Sequence, residues 1–170
     1  MTAAAHPFPG TLAPTSMKPI TFACRESLPL SPADIAGQIL DLQQWTDFQG
    51  YGLLPGIASA EFEERTAEVV GTRIRVVNQD DSRHVEEILA WNLESGLTLR
   101  MHDFSRPLSG IATHFLEHWR MEPTATGTDV TRSFELYPRS WLTRPLLWLI
   151  SFPFQKAIAR HLQQLRSAAD

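Results

Sequence analysis

Charged residues that fall inside otherwise apolar β-patterns are the first candidates for chemistry in this chain. In residues 111–121, Ile111, Thr113, Phe115, Glu117, Trp119 and Met121 share one side of a strand, so Glu117 points the same way as two aromatic rings. In residues 83–91, the odd positions Val85, Glu87, Leu89 and Trp91 are read as the inward set. His84, Glu86, Ile88 and Ala90 are read as the outward set. Arg132 travels with Val130, Phe134 and Leu136 on the strand that follows Glu117 through a hairpin. An ion on an apolar face must be paired or shift its pKa. A Glu117–Arg132 contact is therefore expected, and it supports three readings. It is a structural ion pair, or a polar end that orients a ligand carbonyl or acid. In the third reading a desolvated glutamate, Glu117 or Glu87, is a general acid or base.

Other reactive side chains argue for less. His114 and His118 are four apart on a strand, hence roughly 13 Å apart at ~3.3 Å per residue, whereas one metal ion needs ligands within about 2.1 Å. They are read as outer-face histidines, and no metal or other cofactor is expected. His161 falls on or near the apolar stripe of the closing helix and reads as a core or cavity-rim histidine. The single cysteine, Cys24, lies in a strand pattern and reads as a buried, inert thiol. Gly50-Tyr51-Gly52 lacks the third glycine and preceding strand of a phosphate loop, and no Gly-x-Ser-x-Gly elbow occurs. The net charge is −4 and the arginines are scattered, which argues against nucleic acid as a partner.

The elements that must position these residues come in a simple order. Residues 1–16 are rich in Ala, Thr and Pro and read as a tail, leaving 17–170 as one domain. Ile20, Phe22 and Cys24 alternate in a first strand, and Ser31-Pro32 caps and starts a helix. Gly50, Gly52, Pro55 and Gly56 make a loop. Residues 57–137 then read as a meander of strands with no helix between them, so neighbours should pair antiparallel. Residues 140–168 close the chain as one helix. Its expected core stripe is Leu142, Leu146, Leu149, Ile150, Phe154, Ala157, Ile158, Leu162 and Leu165. Trp141, Leu147, Trp148 and Phe152 lie off that stripe and need cover from the 45–55 loop, a second subunit in a homodimer, or a membrane surface. The apolar run 146–154 is far short of the ~20 residues that span a bilayer. No secretory signal is apparent, and a cytoplasmic location is expected.

This order, with Val70-Gly-Thr-Arg-Ile-Arg-Val, Arg83-His-Val-Glu-Glu-Ile-Leu-Ala-Trp, Thr113-His-Phe-Leu-Glu-His-Trp-Arg and the closing helix, resembles the START-like helix-grip superfamily. That superfamily, also called SRPBCC, includes polyketide cyclase/dehydrase-like proteins, lipid-transfer domains and the birch-pollen allergen group. The resemblance implies an α+β fold: a seven-stranded curved antiparallel sheet wrapped around the C-terminal helix, with a cavity between them. Members bind lipids, sterols, polyketides or hormones, and a minority catalyse. A fold hosts many functions, so this does not choose among them. The expected pocket residues are Leu89, Trp91, Leu99, Met101, Phe115, Glu117, Trp119, Arg132, Phe134, Leu149 and Phe154. The first functional expectation is a binder or carrier of a hydrophobic small molecule. The alternatives are a cyclase or dehydratase using an inward glutamate, and an interaction or membrane-surface module built on the last helix.

Overall fold

A computed structural model describes residues 17–169; the segment 1–16 lies outside the described residues. The order is β1 (Ile20–Leu28), α1 (Pro32–Leu40), a 3-10 turn (Leu42–Asp47), β2 (Ile57–Glu64), β3 (Arg73–Asn78), β4 (Arg83–Asn92), β5 (Gly96–His102), a second short 3-10 turn (Leu108–Gly110), β6 (Ala112–Thr124), β7 (Gly127–Pro138) and α2 (Arg144–Ala169). The strands form one antiparallel sheet in the order β1-β7-β6-β5-β4-β3-β2. The expected seven-stranded, α+β helix-grip architecture is therefore present.

Local chemistry accounts for the element ends. Ser31 accepts from the Asp34 backbone N–H at 3.2 Å, and the Asp34 carboxylate reaches back to the Ser31 N–H. With Pro32 in the first helical turn, this capping box starts α1. Gly96 opens β5 at φ 139°, and a Cβ there would lie 1.8 Å from the Trp119 carbonyl oxygen. Only glycine allows β5 to begin that close to β6.

Register decides which side chains face inward. Leu99 pairs with Glu117, and Glu117 with Phe134. Leu97 pairs with Trp119, Trp119 with Arg132, and Arg132 with Cys24. These rows form the concave face. On β4 the pairing corrects the sequence reading. Glu86 pairs with Met101 and Ile88 with Leu99, so the even positions face inward there. Glu87 pairs with Arg100 and points outward. An irregularity between Ile88 and Ala90 shifts the register by one residue, after which Trp91 pairs with Leu97 and joins the inner side. A one-residue slip exchanges the faces of a strand. Leu89 lies at this shift, 39% exposed.

The face of α2 is the second correction. Leu147, Phe154, Ile158 and Leu162 are buried, whereas Leu142, Leu146 and Leu149 are 68%, 47% and 57% exposed. The first half of the helix is apolar on nearly every side, so periodicity alone does not determine its rotation. Packing does: Phe154 meets Phe134 at 4.9 Å and Phe22 at 5.4 Å, and Phe22 stacks on Phe134 at 4.9 Å. The helix begins at Arg144, later than expected, because Ser140 and Thr143 cap a preceding turn and Thr143 Oγ1 donates to the Ile111 carbonyl at 3.0 Å.

α2 packs mainly against β1 and β7. A helix about 10 Å wide covers roughly two strands spaced about 4.8 Å apart. The concave side of β4–β6 is thus left uncovered by α2. No helix among the described residues is long and apolar enough to cross a membrane.

Candidate functional site

The uncovered part of the concave face is a cavity of about 500 Å³. Leu99 and Met101 on β5, Phe115, Glu117 and Trp119 on β6, and Arg132 on β7 form its floor. Leu149, Pro153, Phe154, Ile158 and His161 of α2 form one wall. Ile39 of α1, Trp45, Phe48 and Leu54 close a second side, and Phe104, Leu108 and Ile111 of the β5–β6 connection close a third. The cavity opens past Leu53, Leu146 and Leu149, all of them exposed.

Eight of the expected pocket residues therefore line the cavity: Leu99, Met101, Phe115, Glu117, Trp119, Arg132, Leu149 and Phe154. Three do not. Leu89 is displaced by the register shift, Trp91 packs against the core away from the space, and Phe134 is sealed between Phe22 and Phe154. Glu87 lies on the other side of the sheet, 2.5 Å from Arg100 Nη2 and 3.5 Å from His102 Nε2. It is therefore not an inward carboxylate.

One buried cluster dominates the polar part of the floor. Arg132 Nε donates to Glu117 Oε1 at 2.6 Å, and Arg132 Nη1 donates to His161 Nδ1 at 3.0 Å. The guanidinium carbon lies 4.2 Å from the centre of the Trp119 ring. The Trp119 indole N–H is buried without completing a hydrogen bond. Glu117 is 1% exposed and Arg132 is 6% exposed. Burial pushes the Glu117 carboxyl above its ordinary pKa, while the charge and hydrogen bond of Arg132 pull it back. Burial, assisted by the charge of Arg132, holds His161 down at about 3. Arg132 is permanently charged, so Glu117 neutralises it in an apolar setting.

Sequence reasoning missed the second polar group, Glu86 with His84. Both line the cavity, and His84 Nε2 lies 3.2 Å from Glu86 Oε1. Glu86 is 6% exposed. A signal was available: the regular inward row Leu97, Leu99, Met101 on the next strand suits Glu86 and Ile88 opposite it. The apolar odd residues Leu89 and Trp91 obscured that signal. His161 was read as a core or rim histidine, and it lies on the cavity wall with Arg132 as its partner.

His114 and His118 face away from the cavity. His114 stacks on Tyr137 at 4.3 Å, and His118 Nδ1 lies 3.1 Å from Thr98 Oγ1. No cluster of three metal-ligating side chains forms among the described residues. Cys24 is buried with its thiol pKa raised by desolvation, and its Sγ donates to the Gln155 carbonyl at 3.4 Å.

A curved antiparallel sheet holding a C-terminal helix over an apolar hollow defines the helix-grip class. Within that class the chain belongs to the polyketide cyclase/dehydrase and lipid transport family, whose model matches residues 20–170. No curated protein matches the chain. Among solved structures, TTHA0849 from Thermus thermophilus superposes with a TM-score of 0.65 at 18% identity, covering 89% of this chain and 99% of that one. A START superfamily protein from Mycobacterium smegmatis gives 0.61 at 10% identity, covering 85% and 98%. The major latex-like protein of Panax ginseng gives 0.57 at 13% identity, covering 85% and 98%. At such identities these structures share the fold.

Proposed function

We propose that this protein binds and carries a hydrophobic small molecule in the hollow between β4–β6 and α2. The observation that carries this reading is the cavity of about 500 Å³, walled mainly by apolar side chains, with the buried polar groups Glu86, Glu117 and Arg132 among its lining. That combination suits burial of an apolar body and orientation by a small number of hydrogen bonds. The family's description, which couples polyketide chemistry with lipid transport, supports the same class of ligand. Exposed Leu53, Leu146 and Leu149 at the opening continue onto Trp148 and Phe152, an apolar approach suited to a ligand leaving an apolar surface. Native mass spectrometry of the purified protein, before and after organic extraction, tests the proposal. A removable mass that rebinds is expected; an unchanged mass together with no uptake of apolar probes would refute it.

A cyclase or dehydratase reading draws on the inward position of Glu117. Proton transfer by Glu117 would have to compete with its clamp to Arg132 at 2.6 Å. Deuterium exchange into a bound β-diketone, followed by NMR, checks this reading. Exchange lost in Glu117→Gln would favour it, and exchange no faster than in buffer would sink it.

A further inference from the structure

The first half of α2 presents to solvent what a helix in a small domain ordinarily buries. Trp141 and Leu142 in the preceding turn, and Leu146, Trp148, Leu149 and Phe152 on the helix, are between 46% and 74% exposed. Trp148 and Phe152 meet edge-on at 4.7 Å and form one ridge. Leu53, 99% exposed, shares the lining of the cavity opening with Leu146 and Leu149. It stands at the tip of a tight turn that the Tyr51 and Leu54 backbones clamp with two hydrogen bonds of 3.0 Å. A lone exposed leucine needs no explanation, but an apolar set of this size at one end of one element marks a docking surface.

Charge identifies the partner. The chain carries a net charge of −4, yet residues 138–169 contain five basic residues and no Asp or Glu. Arg139 and Arg144 flank Trp141 and Leu142. Lys156 and Arg160 follow Phe152 at steps of four, so they continue the same outward face of the helix. Arg139 and Arg144 donate to the neutral carbonyls of Ser109 and Lys18, and Lys156 lies 5.5 Å over the Tyr51 ring. Among the described residues the ion pair of this segment is Arg166 with Glu26, which leaves these four charges uncompensated. The exposed carboxylates that line the cavity, Asp47 and Asp80, belong to the 3-10 turn and the β3–β4 turn. An aromatic and aliphatic face bordered by arginine and lysine suits a bilayer of anionic lipid: the rings settle at the headgroup level and the cations meet phosphates. A second copy suits it less, because a twofold dimer sets a patch against itself and would bring the basic border against its own like.

We infer that the first half of α2 and the Leu53 turn form a docking surface for an anionic lipid bilayer. The docked helix lies in the plane of the interface, since no helix among the described residues is long and apolar enough to cross. The cavity opening past Leu53, Leu146 and Leu149 then faces the lipid. The surface is independent of what the cavity holds, and it rests on the container reading only for what passes between bilayer and hollow.

Sedimentation of the full chain with two kinds of vesicle tests the inference: phosphatidylcholine alone, and an equimolar mixture with phosphatidylglycerol. Binding to the mixture should be about tenfold tighter than to phosphatidylcholine, and raising the salt from about 0.1 to about 0.5 M should remove most of that advantage. Trp141→Ser combined with Trp148→Ser should weaken binding to the mixture about tenfold. Lys156→Ser should weaken it about fivefold. Arg120→Ser removes the same charge from an exposed site on β6 and should leave it unchanged. Circular dichroism checks that each variant is folded. No binding to the mixture would overturn the inference. So would a double tryptophan variant that binds like the native protein, or an Arg120→Ser loss equal to that of Lys156→Ser. Light scattering that finds a dimer dissolved by the double variant, without vesicle binding, would give the face to a second copy instead. A protein that releases a ligand on extraction but ignores vesicles would sink this inference alone. One that binds vesicles but holds no ligand and takes up no apolar probe would sink the container reading alone.

Discussion

The two faces of the sheet carry the same chemical pair in different surroundings. On the concave side, Glu117 and Arg132 meet across β6 and β7 with side chains 2% and 8% exposed. On the convex side, Glu87 and Arg100 meet across β4 and β5 with side chains 21% and 41% exposed. Both are cross-strand glutamate–arginine pairs at hydrogen-bond distance. Water screens the outer pair, so it contributes little and depends on salt. The inner pair has surrendered its hydration, so each partner depends on the other. The fold can do without the outer pair. The inner pair constrains both the fold and what the cavity can accept.

The sharpest test of this contrast separates single from double replacement. Arg132→Met leaves Glu117 buried without a cation, and a loss of about 3–5 kcal/mol is expected in urea unfolding at pH 7. Combining it with Glu117→Leu should recover much of that loss, because an apolar pair of similar size no longer carries an unpaired ion. A double variant as unstable as the single one would mean that the pair matters for its shape rather than for its charge.

His161 adds a dependence on pH to the concave face. Its pKa falls from 6.5 to about 3 on folding. Below pH 6.5 the unfolded chain takes up a proton that the folded chain refuses, so this contribution to stability is lost as the pH falls toward 3. At pH 4.5 the expected loss is about 3 kcal/mol relative to pH 7. Glu117 acts with the opposite sign, because its raised pKa makes ionisation unfavourable to the fold as the pH rises. Comparing the pH profiles of the native protein and His161→Gln isolates the histidine term. Superimposable profiles would show that this imidazole does not stay neutral in the folded protein.

The smallest effect is expected outside. Glu87→Gln should cost about 0–1 kcal/mol and leave ligand uptake unchanged, since the pair is partly solvated and on the far side of the sheet from the cavity. A change in probe affinity for this variant would erase the distinction between the two faces.

Much of the architecture was legible in the residues. The strand, helix, meander and closing helix follow from period-two and helical spacing punctuated by glycine and proline turns. From Phe115 onward in β6, past an irregularity at Ala112–His114 that turns Thr113 outward, and along β7, the alternation is unbroken, so Glu117, Trp119 and Arg132 could be assigned to one face and to one another from the residues. β4 was misread because its alternation changes phase within the strand, at an irregularity that shows in the pairing with β5 and not in the residue types. Glu87 was credited with the place that Glu86 holds.

By itself, then, the sequence determined the elements, their antiparallel pairing and the Glu117–Arg132 contact, because short-range periodicity and a hairpin connection suffice for these. Tertiary structure alone decided the phase of β4, the rotation of α2 and the meeting of His161 with Arg132. Each of these depends on contacts between residues distant along the chain. A strand apolar on both sides, or a helix apolar all round, contains no local instruction for choosing its buried face.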